Sequence, residues 1–181
     1  MADPGSRTPA AAGRILLAGM FLVGGCVPGT PAPAVTPQET PGIFMAGYHP
    51  WWGGTGVDAL PLDLLDQLFF FEIEAGRDGT LTDPHGWPEA WAGLVDRANR
   101  SGVQVALTLT MHDPEAFDEV FSDPERSARL VGDVATLVQG SPGVRGIHLD
   151  LEVFRPVPLQ TRDGYTAFVA ALARELRRLD P

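Results

Sequence analysis

The sequence predicts an α/β fold of the (β/α)8 barrel type, with only the first four β/α units present. From residue 42 onward, four short apolar runs alternate with longer amphipathic segments, as expected for strands and helices. The joining segments are short, which favours a parallel sheet with helical crossovers. The first run is followed by His49-Pro50-Trp51-Trp52 and not by the glycine-rich turn typical of an open, doubly wound dinucleotide-binding sheet, so the barrel is favoured.

The N-terminal 25 residues are predicted to be a signal peptide. Arg7 and Arg14 precede an apolar run that ends in Gly24-Gly25-Cys26. The run is too short to span a bilayer, which needs ~20 apolar residues, but it suits a secretory signal. Residues 23–26 resemble a bacterial lipobox, so we expect lipidation of Cys26 and anchoring on the outer side of a bacterial membrane. An ordinary signal peptide of a secreted protein is the alternative.

Residues 26–41 are expected to be a tether, because the stretch is rich in proline and has little apolar bulk to bury. The folded domain is therefore expected over residues 42–181. That is about 140 residues, whereas a complete barrel takes about 250. We expect the first half of a barrel, in which strands one and four are open edges that favour a missing half-barrel or self-association as partner.

The first two strands are expected on either side of a long loop. Residues 43–48 predict strand one, and residues 68–73 are apolar enough to predict a buried strand two. A helical turn is expected over 63–67, and Asp78-Gly79 predicts a turn after strand two.

The second half of the domain continues the alternation. Residues 87–98 have helical spacing, with Pro88 suited to the first turn, and residues 103–110 predict strand three. Strand four is expected over 144–152. The remaining predicted helices begin at Asp113-Pro114 and at Asp123-Pro124, the latter ending near 139, and a last helix covers 161–179.

The composition excludes several classes of function. All 13 basic residues are arginine, so lysine-dependent sites such as P-loops and Schiff bases are excluded. The net charge of −10 argues against nucleic acid as a partner. The single cysteine excludes an internal disulfide and a multi-cysteine zinc site. His85 and His112 lack metal-ligand spacing and are expected at the surface, so no cofactor or metal is predicted.

Strand four carries the main candidate site. Its alternation places His148, Asp150 and Glu152 on one face and Ile147, Leu149 and Leu151 on the other. In a barrel, the polar set points inward at the C-terminal rim, where barrel active sites lie. Two neighbouring carboxyl groups compete for ionisation, so one is expected to keep a proton and to act as a general acid. The alternative is a polar strand end that faces solvent and has no function.

These residues resemble the fourth-strand motif of glycoside hydrolase family 18, the chitinase family. That family has Asp-Gly-x-Asp-x-Asp-x-Glu, and this chain has Arg-Gly-Ile-His-Leu-Asp-Leu-Glu over 145–152. Supporting matches are Gly47-Tyr48, the aromatic strand 68–73, Asp78-Gly79 and the stretch 102–108. The resemblance runs from about residue 44 to 179, so it covers the whole predicted domain.

The resemblance implies a substrate-assisted glycosidase acting on chitin-like or peptidoglycan-like polysaccharide that contains N-acetylglucosamine. Glu152 would protonate the leaving oxygen, and Asp150 would orient the N-acetyl group that attacks the anomeric carbon. Arg145 and His148 stand where the family has aspartates, and Leu151 where it often has tryptophan. His148 is expected to hydrogen-bond Asp150. The family's later tyrosine and tryptophan have no counterpart here.

Further candidates line the same predicted rim. Trp51 and Trp52 are expected either to stack on sugar rings or to pack under a helix, and Tyr48 either to join the site or to serve as core. Glu72 is a further candidate for the cleft, and Phe69–Phe71 are expected in the core. The competing function is a non-catalytic glycan-binding lipoprotein on the same scaffold, which the altered Arg145 and His148 favour.

Overall fold

A four-stranded parallel sheet forms the centre of the domain in this computed structural model, which describes residues 42–56 and 58–179. The strands are β1 (Ala46–Pro50), β2 (Gln67–Glu74), β3 (Gln104–Met111) and β4 (Val144–Leu151). They lie in the order β1-β2-β3-β4, and every neighbouring pair is parallel. The predicted alternation and parallel sheet are confirmed. The predicted signal peptide, Cys26 and tether lie outside the described residues.

Four helices connect and follow the strands. They are α1 (Ala92–Arg100), α2 (Pro114–Ser122), α3 (Pro124–Gln139) and α4 (Leu159–Leu179), and short 3-10 turns occur at Trp51–Gly53, Leu62–Leu64 and Glu89–Trp91. Asp113 and Asp123 cap α2 and α3, as the Asp-Pro pairs predict: each carboxylate accepts hydrogen bonds from two backbone N–H groups of the first turn.

The core lies on one face of the sheet, between the strands and the helices. One cluster joins β2 and β3 to α1 through residues such as Phe70, Leu107 and Leu94. A second joins β3 and β4 to α2, α3 and α4 through residues such as Met111 and Phe168. Because side chains alternate along a strand, every second residue points to the opposite face of the sheet. The candidate site residues lie on that opposite face.

Strand one is displaced from its predicted position. The apolar run 43–48 predicts a strand there, but pairing starts at Ala46, which is in register with Gln67, and continues to Pro50. Ile43 and Phe44 are exposed, 88% and 63% respectively, because the partner strand does not extend alongside them. The first three residues of the apolar run therefore precede β1, and only residues 46–48 of the run belong to it.

The helix predicted over 87–98 also begins later. Trp87 and Trp91 are buried, and residues 89–91 form a 3-10 turn before α1 starts at Ala92. The peptide bond before Pro88 is cis. The predicted helical turn at 63–67 lies at Leu62–Leu64 instead.

The predicted Asp78-Gly79 turn is present and is tied to α2 and α3 by arginine side chains. Arg77 donates hydrogen bonds of 2.8 Å to both Asp113 and Glu119, and Arg126 of α3 donates one of 3.1 Å to the Arg77 carbonyl. Gly79 has a φ of +80°, and a Cβ there would collide with the backbone carbonyl of Arg126. The turn therefore requires glycine for conformation and for space.

Within residues 42–56 and 58–179, no helix has the length and apolar character needed to cross a membrane. The same residues contain no group of three or more histidine, cysteine or acidic side chains placed to hold a metal ion.

Candidate active site

The sheet face opposite the helices carries the predicted polar residues of β4 and aromatic residues of β1 and β2. Tyr48 lies beside Phe69, with ring centroids 5.1 Å apart, and beside His148 at 5.6 Å. Asp150 continues the same face of β4, in register with Thr110 of β3. Tyr48, His148 and Asp150, which are up to about a hundred positions apart in sequence, therefore share one face, as alternation predicts.

A cavity of about 340 Å³ opens on this face. Tyr48, Pro50, Trp52, Phe71 and Asp150 line it. Tyr48 and Trp52 are 55% and 61% exposed, so their rings are accessible to a ligand. An apolar, aromatic wall with one carboxylate is the composition expected of a site that stacks on a sugar ring and hydrogen-bonds its substituents.

Phe69 and Phe71 correct the expectation that residues 69–71 all belong to the core. Only Phe70 is fully buried on the helical side, where it packs against Trp87 and Trp91. Phe69 and Phe71 are half-buried on the opposite face. The continuous apolar run hides this division, because both faces of a buried strand accept aromatic residues.

His148 is enclosed by aromatic rings and does not make the contact expected of it. Its Nε2 lies 3.3 Å from the Tyr48 hydroxyl, and its ring lies 4.7 Å from that of Phe69. Its Nδ1 is buried without a partner in the described part of the chain. The expected hydrogen bond to Asp150 is therefore not formed, because the imidazole turns toward β1 and Asp150 opens to the cavity.

Glu152 lies one residue beyond β4. Its backbone N–H donates a 3.1 Å hydrogen bond to the Met111 carbonyl, which keeps it beside the end of β3. Its side chain is exposed and is not among the residues that line the cavity. Glu152 therefore lies at the rim, two positions after Asp150, which lines the cavity wall.

The remaining candidates occupy different surroundings. Trp52 lines the cavity, whereas Trp51 is 38% exposed and stacks on His85, with ring centroids 4.1 Å apart and planes inclined by 8°. Glu72 is half-buried, in a stretch where the pairing of β2 with β3 shifts register, and it is not among the residues lining the cavity. His112 is exposed, as expected.

Sequence reasoning missed His85 and the wall residues Pro50 and Phe71. His85 was expected at the surface, but its side chain is only 18% exposed because Trp51 covers it. The positive φ of +52° at His85 has no reliable sequence signal, since the flanking Pro84 and Gly86 indicate only a loop.

Comparison with solved structures identifies the fold. The chain superposes on a chitinase from Bacteroides thetaiotaomicron with a TM-score of 0.62 and 16% identity, covering 71% of this chain and 42% of that one. A family 18 chitinase from Cycas revoluta in complex with (GlcNAc)3 gives 0.57 and 21%, covering 74% and 40%. The Bacillus cereus spore cortex-lytic enzyme SleL gives 0.56 and 19%, covering 72% and 32%.

The domain has the family 18 chitinase fold. This confirms the expected TIM-barrel type of architecture, of which the described residues form four β/α units. The chain spans less than half the length of these solved structures. No protein-family model and no curated protein matches the chain.

Proposed function

We propose that this chitinase-fold domain acts as a glycosidase on polysaccharides that contain N-acetylglucosamine. The observation that carries the proposal is the cavity in which Asp150 shares a wall with Tyr48 and Trp52. This cavity lies at the carboxyl ends of parallel strands, where barrel enzymes hold their active sites. The complex of the Cycas revoluta chitinase with (GlcNAc)3 supports the choice of substrate class.

Glu152 is proposed as the proton donor to the leaving glycosidic oxygen. It lies at the rim, two positions after the wall residue Asp150, and its side chain is exposed. Asp150 is proposed to orient the substrate's N-acetyl group, whose carbonyl oxygen then attacks the anomeric carbon in place of a protein nucleophile. The aromatic wall would stack on the pyranose rings.

Hydrolysis of an N-acetylglucosamine oligomer by the full chain and by its Asp150→Asn variant tests this proposal. The amide keeps the shape of the carboxylate and removes its charge, so we expect turnover to fall by about 10²-fold while binding persists. Asp96→Asn is the matched control, because Asp96 is exposed on α1 and lies outside the cavity lining. Equal turnover in Asp150→Asn and the unmodified chain contradicts the proposal.

The second candidate is glycan binding without catalysis. His148 favours it, because an imidazole paired with Tyr48 occupies the place where the chitinase motif has a carboxylate. Binding of the oligomer with no hydrolysis by the unmodified chain selects this candidate.

We also propose that the protein is anchored to the outer side of a bacterial membrane through lipid on Cys26, which follows an apolar run and precedes a proline-rich stretch. Cys26→Ser is expected to move the protein from the detergent phase to the aqueous phase in a phase-partition assay. Unchanged partitioning contradicts the anchor.

A further inference from the structure

The two tryptophans after β1 face different neighbours. Trp52 lines the cavity and meets Phe71 edge-on, with ring centroids 5.9 Å apart and planes at 89°. Trp51 meets Trp52 edge-on at 5.6 Å, and its own face stacks on His85 at 4.1 Å. A continuous series of ring contacts therefore runs from His85 through Trp51 to the cavity wall.

His85 is itself held firmly. Its φ of +52° lies in the left-handed region, which costs free energy for any residue with a side chain. The Asp83 carboxylate accepts a 2.8 Å hydrogen bond from the His85 backbone N–H, and the Trp91 indole donates one of 2.8 Å to the His85 carbonyl. Unfavourable backbone conformations persist where the surroundings fix them, and they cluster at ligand sites.

Residues 51–54 carry the two tryptophans and are called the tryptophan loop here, and His49 separately fixes the base of this loop. This residue is 5% exposed, its Nε2 donates a 2.8 Å hydrogen bond to the Gly54 carbonyl, and its ring packs edge-on against Trp91. His49 thus closes the loop, whereas the only ring that stacks face to face on Trp51 in the described part of the chain is His85.

We propose that His85 is a positioning residue for the sugar-binding wall of the cavity. By stacking on Trp51 it holds Trp51 against Trp52, and so fixes the Trp52 ring where it meets the apolar face of a pyranose. Exposed rings that are ordered before the ligand arrives lose less freedom on binding, which raises affinity. That a sugar binds to this wall rests on the proposed function, whereas the ordering of the tryptophan loop does not depend on it.

The ordering is tested without any glycan by acrylamide quenching of tryptophan fluorescence. Trp87 and Trp91 are only 4% and 3% exposed, so quenching reports mainly on the tryptophan loop. His85→Asn is the informative change, because asparagine tolerates a left-handed backbone but provides no aromatic ring. We expect faster quenching in His85→Asn and no change in the control Arg100→Ala, an exposed position at the end of α1.

Affinity for an N-acetylglucosamine trimer is the second readout. We expect His85→Asn and Trp51→Ala each to weaken binding by about three- to tenfold, the scale of one aromatic stacking pair. The double variant is expected to be no weaker than either single variant, because both break the same contact. Trp51→Phe keeps a stacking ring and is expected to retain most of the affinity.

Unchanged quenching in a folded His85→Asn protein overturns the proposal, and so do fully additive losses of affinity in the double variant. If the unmodified chain binds no trimer, the proposed function fails. The quenching result still decides the role of His85, since faster quenching supports the positioning role and unchanged quenching overturns it.

Discussion

Two residues of one strand face, His148 and Asp150, have very different surroundings. Tyr48 and Phe69 enclose the imidazole, whereas the carboxylate opens to the cavity. Alternation along β4 predicts that both lie on the same face. It does not predict the partner of His148, because Tyr48 is a hundred residues away and its approach depends on the register of β1 with β2.

The different neighbours of Trp51 and Trp52 are likewise not predictable from the sequence. The adjacency of Trp51 and Trp52 suggested equal roles, but the 3-10 turn at 51–53 directs their rings to different neighbours. His85, the partner of Trp51, comes from the loop after β2, and loop geometry is set by tertiary contacts more than by composition.

At the N-terminus of α2, Asp113 combines a helix cap with an ion pair, and this makes its contribution dependent on pH. A hydrogen bond from Arg77 is the main cause that lowers the pKa of Asp113 from 3.8 to about 2. A pKa lowered by folding means stability that is present above about pH 4 and is lost as the pH falls toward 2.

We therefore expect Asp113→Asn, which keeps the cap but cannot ionise, to be less stable than the unmodified chain near neutral pH. The difference in unfolding free energy should shrink between about pH 4 and pH 2. Denaturant unfolding of both proteins across this range measures it. A difference that stays constant across the range contradicts the assignment to Asp113.

Among the elements, β2, β3, β4 and the Asp-capped helices lie closest to their predicted positions. β3 and β4 lie within about one residue of the predicted bounds because their ends carry strong signals: glycine turns before them and polar residues after them. β1 was predicted three residues too early at its start. An apolar run predicts burial, and Ile43–Met45 are apolar but exposed.

The packing of α4 against α2 depends on one glycine. A Cβ at Gly164 would collide with the Phe121 backbone carbonyl, whereas a Cβ at Gly132 of α3 would meet nothing within 4 Å. Both glycines lie inside helices, where alanine is intrinsically preferred. The two positions therefore form a matched pair that separates helix packing from helix propensity.

We expect Gly164→Ala to lower the unfolding free energy by about 1–3 kcal/mol, because the helices must separate to admit the methyl group. Gly132→Ala is expected to raise it by about 0.5–1 kcal/mol. Thermal or denaturant unfolding measures both. If Gly164→Ala stabilises the protein as much as Gly132→Ala does, the close contact between the helices is absent.

For the molecule as a whole, the most consequential feature is the pair of open sheet edges. Among the described residues, β1 pairs only with β2, and β4 pairs only with β3. Large apolar side chains are exposed near both edges, including Phe44 and Met45 before β1 and Phe154 after β4. Unpaired edges of this kind promote association with other chains.

We expect the isolated chain to self-associate or to show low stability. Sedimentation velocity and binding of a hydrophobic dye measure the two outcomes, with net charge held constant by working at one pH. A monomer that unfolds in one cooperative thermal transition and binds no dye contradicts this expectation.

A carboxyl group at the end of β4 is proposed to perform acid catalysis beside the cavity. Glu152→Gln tests it most directly, because the amide keeps the shape of the side chain and removes its transferable proton. The measurement is the release of reducing ends from an N-acetylglucosamine oligomer, with Glu125→Gln as the control at an exposed position in the first turn of α3. We expect turnover to fall by ~10²-fold or more in Glu152→Gln, with binding of the oligomer retained. Unchanged turnover in Glu152→Gln, beside an equally active control, would contradict it.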